Sequence, residues 1–195
     1  MLRGLICDES FEARVILCCM RMKDNEKENL ETIQLASEYL GKGVVAADLA
    51  GAEALFPTSS FENVFQKAKE AGVPFTIHAG EADGPESIWT ALRFGAQRIG
   101  HGVRCLEDEK LVEYLREKQI PLEVCPTSNF QTKAVKGEYP LKKMLEKGLC
   151  VTLNTDNTTV SGTTLEKEFD IAENQLGLTR EEIMTLKKNA EKARF

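Results

Sequence analysis

The chain holds two histidines, and both lie in short glycine-bearing turns: His78 in "TIHAGEADG" and His101 in "RIGHGV". An imidazole can bind a metal, move a proton or sit satisfied in a core, so its neighbours decide between these roles. Glu81 follows His78 by a short turn, placed to act as a general acid or base beside a metal without ligating it. The plainer alternative is a surface acid preceding "ADGPES". Asp156, in "VTLNTDN", ends a nearly apolar run, where an unpaired carboxylate would be costly to bury. Alone it could cap the following helix. Two neutral imidazoles and one carboxylate converging on a point would suit zinc.

These residues need a scaffold that brings them together. Short apolar runs at 14–20, 43–50, 73–79, 98–102, 120–126 and 149–156 are rich in Val, Ile and Cys and predict strands buried on both faces. Helical spacing separates them. Leu30, Ile33, Ala36 and Leu40 share one face of a segment over 26–40, with Gly41 following. Helices are also predicted over 60–71, 107–118, 139–147 and 163–176, and a last one opens on a Thr179/Glu182 capping box. Strands alternating with helices imply an α/β fold with parallel pairing and right-handed crossovers. Six βα units are countable, against eight in a closed barrel. The alternative, an open doubly wound sheet, lacks its G-x-G-x-x-G.

Five runs end in polar or glycine-rich signatures: "DLAGAE", "HAGE", "GHG", "CPTSN" and "NTDN". In parallel α/β folds the C-terminal strand edge carries the site, because every following loop converges there. Glycine on both sides of His101 permits close approach of backbone or ligand, as it also does in simple turns.

Composition narrows the partners. A net charge of −6 argues against a nucleic-acid-binding surface, and no apolar run approaches the ~20 residues needed to cross a bilayer. The N-terminal "MLRGLICDESFEARVILCC" is a poor secretory signal. The six cysteines include no C-x-x-C; Cys18, Cys19, Cys125 and Cys150 lie in apolar runs, and Cys7 and Cys105 follow no pairing pattern. They are expected to be reduced thiols acting as small core residues in a cytoplasmic protein without nucleic-acid or membrane partners.

Taken together, "ILCCMR", "DLAGAE", "IHAGEADGPESI", "RIGHGV", "LEVCPTSN", "VTLNTDN" and the terminal "NAEKARF" resemble the adenosine deaminase family in family order. The resemblance implies a (β/α)8 TIM-type barrel, a zinc ion and hydrolytic deamination of adenosine to inosine and ammonia, a step of purine salvage. Carried over by residue, it makes His78 and Asp156 metal ligands. Glu81 would protonate the purine at N1, and His101 would orient the attacking water as base or electrostatic stabiliser. The N–H of Gly51 would meet purine N3. Asn157 stands where many members carry an Asp facing N7; its amide can donate to N7 without first holding a proton. Ser128, in "PTSN", would support the site.

The family opens with a strand ending in H-x-H, which supplies two further ligands, and no histidine precedes His78 here. The expectation is therefore an incomplete barrel, residues 1–195 forming a single domain that corresponds to its C-terminal portion, with about six of eight βα units. Zinc would be weakly held or lost, the isolated chain would be a poor deaminase, and exposed barrel edges would invite homo-oligomers. Two alternatives remain: a non-catalytic remnant that binds purine nucleosides, and another metal-dependent barrel amidohydrolase.

Overall fold

The computed structural model describes residues 13–195. Cys7 and most of the segment weighed as a secretory signal lie outside the described residues. Six parallel strands follow one another in chain order: β1 (Val15–Arg21), β2 (Val44–Gly51), β3 (Thr76–Ala79), β4 (Arg98–His101), β5 (Leu122–Val124) and β6 (Val151–Leu153). β1 pairs with β2, and β3 through β6 form a continuous ladder. The two groups are joined where Ala47 bridges Phe75, with the Ala47 N–H donating to the Pro74 carbonyl at 2.9 Å. Neighbouring strands in chain order, each followed by a crossover, give an arc of a parallel barrel. Among the described residues, β1 and β6 have no strand on their outer sides.

Helices cover one face: α1 (Glu26–Glu38), α2 (Glu62–Glu70), α3 (Pro85–Phe94), α4 (Glu109–Lys118), α5 (Pro126–Gln131), α6 (Leu141–Glu146), α7 (Thr158–Ser161), α8 (Leu165–Asp170) and α9 (Arg180–Lys192). The core lies between them and the sheet. Ile77, Ile99, Leu122 and Val151 are fully buried there with Phe65, Ile88, Leu111, Leu115 and Met144. Removal of this much apolar surface from water is the main force holding helices to strands. α9 begins at the expected capping box, in which Thr179 and Glu182 each bond the other's backbone N–H.

Two expectations need correction and one needs completing. β3 to β6 are largely buried on both faces as expected, but their inner face is polar: it carries Thr76, Arg98, Glu123 and Thr152, with Asn154 just beyond β6. These groups satisfy one another, through Arg98–Glu123 at 2.8 Å, Thr76–Glu123 at 2.9 Å and Asn154–Thr152 at 2.9 Å. Cys18 is exposed rather than a core thiol. The segment predicted as one helix over 163–176 is α8 followed by a π-helical turn, Ile171–Gln175. In addition, α3 is a helix that periodicity alone passed over. Its signals are Pro85 at the first turn and Gly95 in the left-handed conformation at its end, which open and stop it.

Candidate active site

His78 lies on the inner face of β3. Its ring occupies space that Gly100 leaves on the neighbouring strand, since a Cβ at position 100 would come within 2.8 Å of His78 Nδ1. That nitrogen is 3.1 Å from Oδ1 of Asp48, within β2. The protein around the ring disfavours the charged form, yet Asp48, helped by Glu123 and Asp156, outweighs that effect and raises the pKa to about 9. A carboxylate on Nδ1 fixes the ring and directs Nε2 outward, an arrangement that recurs behind metal-binding histidines.

The loop carrying Glu81 is held from beneath by Glu53, which is 4% exposed. Glu53 Oε1 accepts from the Gly80 N–H at 2.7 Å and Ser87 Oγ at 2.5 Å. Its Oε2 accepts from the backbone N–H groups of Glu81, Ala82 and Asp83 at 2.7–3.0 Å. Burial opposes this charge, but the Ser87 and backbone bonds prevail and hold the Glu53 carboxyl below its ordinary pKa. The loop is thereby a nest of N–H groups closed around a buried carboxylate.

Glu81 reaches from that loop toward the barrel axis. Its Oε1 accepts from Asn129 Nδ2 and Thr132 Oγ1, both at 3.0 Å, and its Oε2 is 3.5 Å from His101 Nε2. It is thus an anchored carboxylate and not a surface acid. His101 ends β4 with φ +59°, a left-handed conformation that costs a non-glycine residue about 1 kcal/mol. It is buried, and its ring meets that of His78 edge-on at 5.0 Å between centroids. Burial, reinforced by the charge of His78, lowers the His101 pKa against the pull of Glu81, Asp156 and Glu53.

Asp156 also adopts a left-handed backbone, φ +55°, just beyond β6, and its Oδ2 accepts from Ser128 Oγ at 2.6 Å. The helix-capping role falls to Asn157 instead, whose Oδ1 accepts from the N–H groups of Thr159 and Val160. With its carbonyl so engaged, the Asn157 amide nitrogen remains the group available to donate elsewhere. α5, which presents Ser128 and Asn129, is itself tied to α8 by the fully buried Glu168, which accepts from the Thr127 N–H and from Thr163 Oγ1.

Two cavities meet these groups. The larger, about 720 Å³, is lined by Gly51, Glu53, Glu81, Arg104, Thr132 and Val135 among others, a volume suited to a small-molecule ligand. Gly51 has φ +107°, and a Cβ there would lie 3.3 Å from Arg21, so only glycine fits this wall comfortably. The smaller, about 280 Å³, opens on the inner face between Asp48, His78, His101, Cys125 and Asp156. His78 and Asp156 therefore border one cavity, Gly51 and Glu81 the other, and His101 stands between. As metal donors, His78 and Asp156 are suitable in type and each is anchored by a partner. Among the described residues, however, no cluster of three or more His, Cys, Asp or Glu side chains is arranged to hold an ion.

Asp48, Glu53, Asn129 and Tyr139 hold positions in the site that their sequence context does not announce. Asp48 and Glu53 both lie in "DLAGAE" and Asn129 ends "CPTSN", so their motifs were visible while their roles were not. Tyr139, which donates to Asn129 Oδ1 at 2.8 Å, had no local signal.

A family model described as adenosine deaminase matches residues 7–195. The chain is 52% identical over 197 aligned residues to the adenosine deaminase of Haemophilus ducreyi, covering 98% of this chain and 57% of that protein. The crystal structure of an adenine deaminase from Arthrobacter aurescens superposes with a TM-score of 0.85 at 33% identity, covering 93% of this chain and 56% of the other. An amidohydrolase from Burkholderia ambifaria, crystallised with bound Zn, shares the fold with a TM-score of 0.90 at 22% identity, over 98% of this chain and 54% of its own. The chain thus spans a little over half the length of these proteins.

Proposed function

The chain belongs to the adenosine deaminase family, and on that premise we propose that its residues carry the proton-handling half of a site that hydrolyses adenosine to inosine and ammonia. The observation that supports this most directly is the joined cluster of Glu81, Asn129 and His101 standing between a ligand-sized cavity and the His78–Asp156 edge.

Displacing ammonia from a purine requires a nucleophile at C6, a proton on the ring and a proton for the leaving amine. Glu81 would supply the ring proton. Its Oε1 is saturated by Asn129 and Thr132, which leaves Oε2 as the oxygen to carry a proton to N1. Protonated there, the ring loses electron density at C6 and becomes open to attack. His101, which burial keeps neutral, would hold the attacking water or the oxygen developing at C6 by donating its Nε2–H. The Gly51 N–H would meet purine N3, and the free amide nitrogen of Asn157 would donate to N7. His78 through Nε2 and Asp156 through its second oxygen would hold a divalent metal, completed by ligands from outside residues 13–195. A zinc ion held so would supply hydroxide at neutral pH, lowering the pKa of water to about 7.

The domain would accordingly be one portion of a purine deaminase barrel, a cytoplasmic enzyme of nucleotide salvage, with β1 and β6 covered by further strands or by another copy. The test is the ultraviolet change as adenosine is lost, with zinc measured in the same sample. Turnover that falls about 10²–10⁴-fold in Glu81→Gln, with nucleoside binding retained, supports the assignment. A Glu81→Gln variant with full activity removes Glu81 from the mechanism.

A further inference from the structure

Asn129, in α5, is fully buried, and both its amide oxygen and its amide nitrogen are engaged. One side of the amide accepts from Tyr139 Oη at 2.8 Å. The other lies 3.0 Å from Glu81 Oε1 and 3.0 Å from His101 Nδ1. Glu81 Oε1, which also takes the Thr132 hydroxyl, accepts whether or not Oε2 carries a proton, so the atom facing it must be the nitrogen, and the two amide hydrogens go to Glu81 and His101. The amide orientation is therefore decided by chemistry as well as by fit. Because Nδ2 donates toward Nδ1, that ring nitrogen must present its lone pair. The neutral ring then carries its proton at Nε2, the nitrogen 3.5 Å from Glu81 Oε2.

We infer that Asn129, locked by Tyr139, is a positioning residue that selects the Nε2–H form of His101 and ties it to Glu81 through one amide group. The inference rests on the reading of Glu81 and His101 as the pair that handles protons in deamination. Its consequence is that both members are oriented before substrate arrives. Oε1 and Nδ1 are withdrawn from the reaction, and Oε2 and Nε2 are the two atoms left facing the substrate side. A leucine at 129 would keep the bulk and release both. An aspartate would present an acceptor to Nδ1 and draw the proton to the other nitrogen.

The chain's histidine content makes this directly observable. Long-range proton–nitrogen correlation spectra of the ¹⁵N-labelled, metal-free chain contain two imidazoles, and His78, bonded to Asp48 through Nδ1, carries a proton on that nitrogen. In the wild type, His101 is expected to show an unprotonated Nδ1 and a protonated Nε2. Asn129→Leu should give a mixture of both forms, and Asn129→Asp should move the proton to Nδ1. A wild-type His101 protonated at Nδ1 overturns the inference whatever the variants do. So does a folded variant of either kind that keeps the wild-type pattern undiminished. The measurement needs no turnover, so a failure to deaminate adenosine and a failure of this inference are separate results.

Discussion

Asp48→Asn isolates the interaction that the structure makes strongest at the metal edge. In the folded chain without metal, His78 is raised from 6.5 to about 9 by Asp48 at 3.1 Å, against the opposing effect of burial. At 1.36 kcal/mol per unit, that rise corresponds to about 3 kcal/mol favouring the imidazolium in the folded state. A folded pKa above the unfolded one means stability that is fully present below pH ~6.5 and lost as pH climbs through ~9. The wild-type chain should therefore lose on the order of 3 kcal/mol of unfolding free energy across that window from this group. In Asp48→Asn the largest attraction disappears while burial and the weaker pull of Glu123 and Asp156 remain, so His78 should titrate well below 9 and most of the loss across the window should vanish. The assay is a proton NMR titration of the two histidine rings, paired with urea unfolding at the two ends of the window. A His78 that titrates near 6.5 in the wild type, or stays near 9 in Asp48→Asn, would refute the reasoning.

Other perturbations address the remaining parts of the site. Gly100→Ala places a methyl group 2.8 Å from His78 Nδ1, and should cost about 1–3 kcal/mol by overpacking and displace the ring, read by thermal unfolding and the His78 titration. Glu53→Gln replaces an oxygen that accepts backbone N–H bonds with an amide nitrogen that repels them; urea unfolding should show a loss of about 2–5 kcal/mol, and retention of wild-type stability would deny the loop clamp. Asn157→Ala removes the cap of α7 and should cost about 1 kcal/mol in unfolding free energy. In an active form it should also raise the KM for adenosine, whereas an unchanged KM removes the proposed N7 contact.

The strand order, the parallel pairing and the convergence of polar signatures were legible in the sequence because each strand ends in its own glycine or polar punctuation. His78, Glu81, His101 and Asp156 stood out since chemistry-bearing residues at such ends have few structural reasons to be there. What was not legible depends on contacts between distant segments. Asp48 and His78 are 30 residues apart, and Asn129 lies 48 from Glu81. No local pattern says that one amide will serve two catalytic candidates. The polar inner face is hidden for a related reason: Thr76, Arg98 and Glu123 compensate one another only once the strands lie side by side. α3 escaped because its cues are a proline and a glycine at its ends rather than a long apolar stripe. The plainer alternative for Asp156, a helix cap, is filled by Asn157 one residue later, whose Oδ1 takes the Thr159 and Val160 N–H groups.

Deamination of adenosine by these residues, as proposed above, requires the metal edge to be completed. Its most direct test is adenosine turnover, with zinc content, for the chain extended at its N-terminus by strand-forming segments that carry an H-x-H. About one zinc per chain is expected, with deamination that Glu81→Gln lowers by about 10²-fold or more while zinc is retained. A zinc-loaded extended chain that binds adenosine and leaves it unchanged would refute the proposed function.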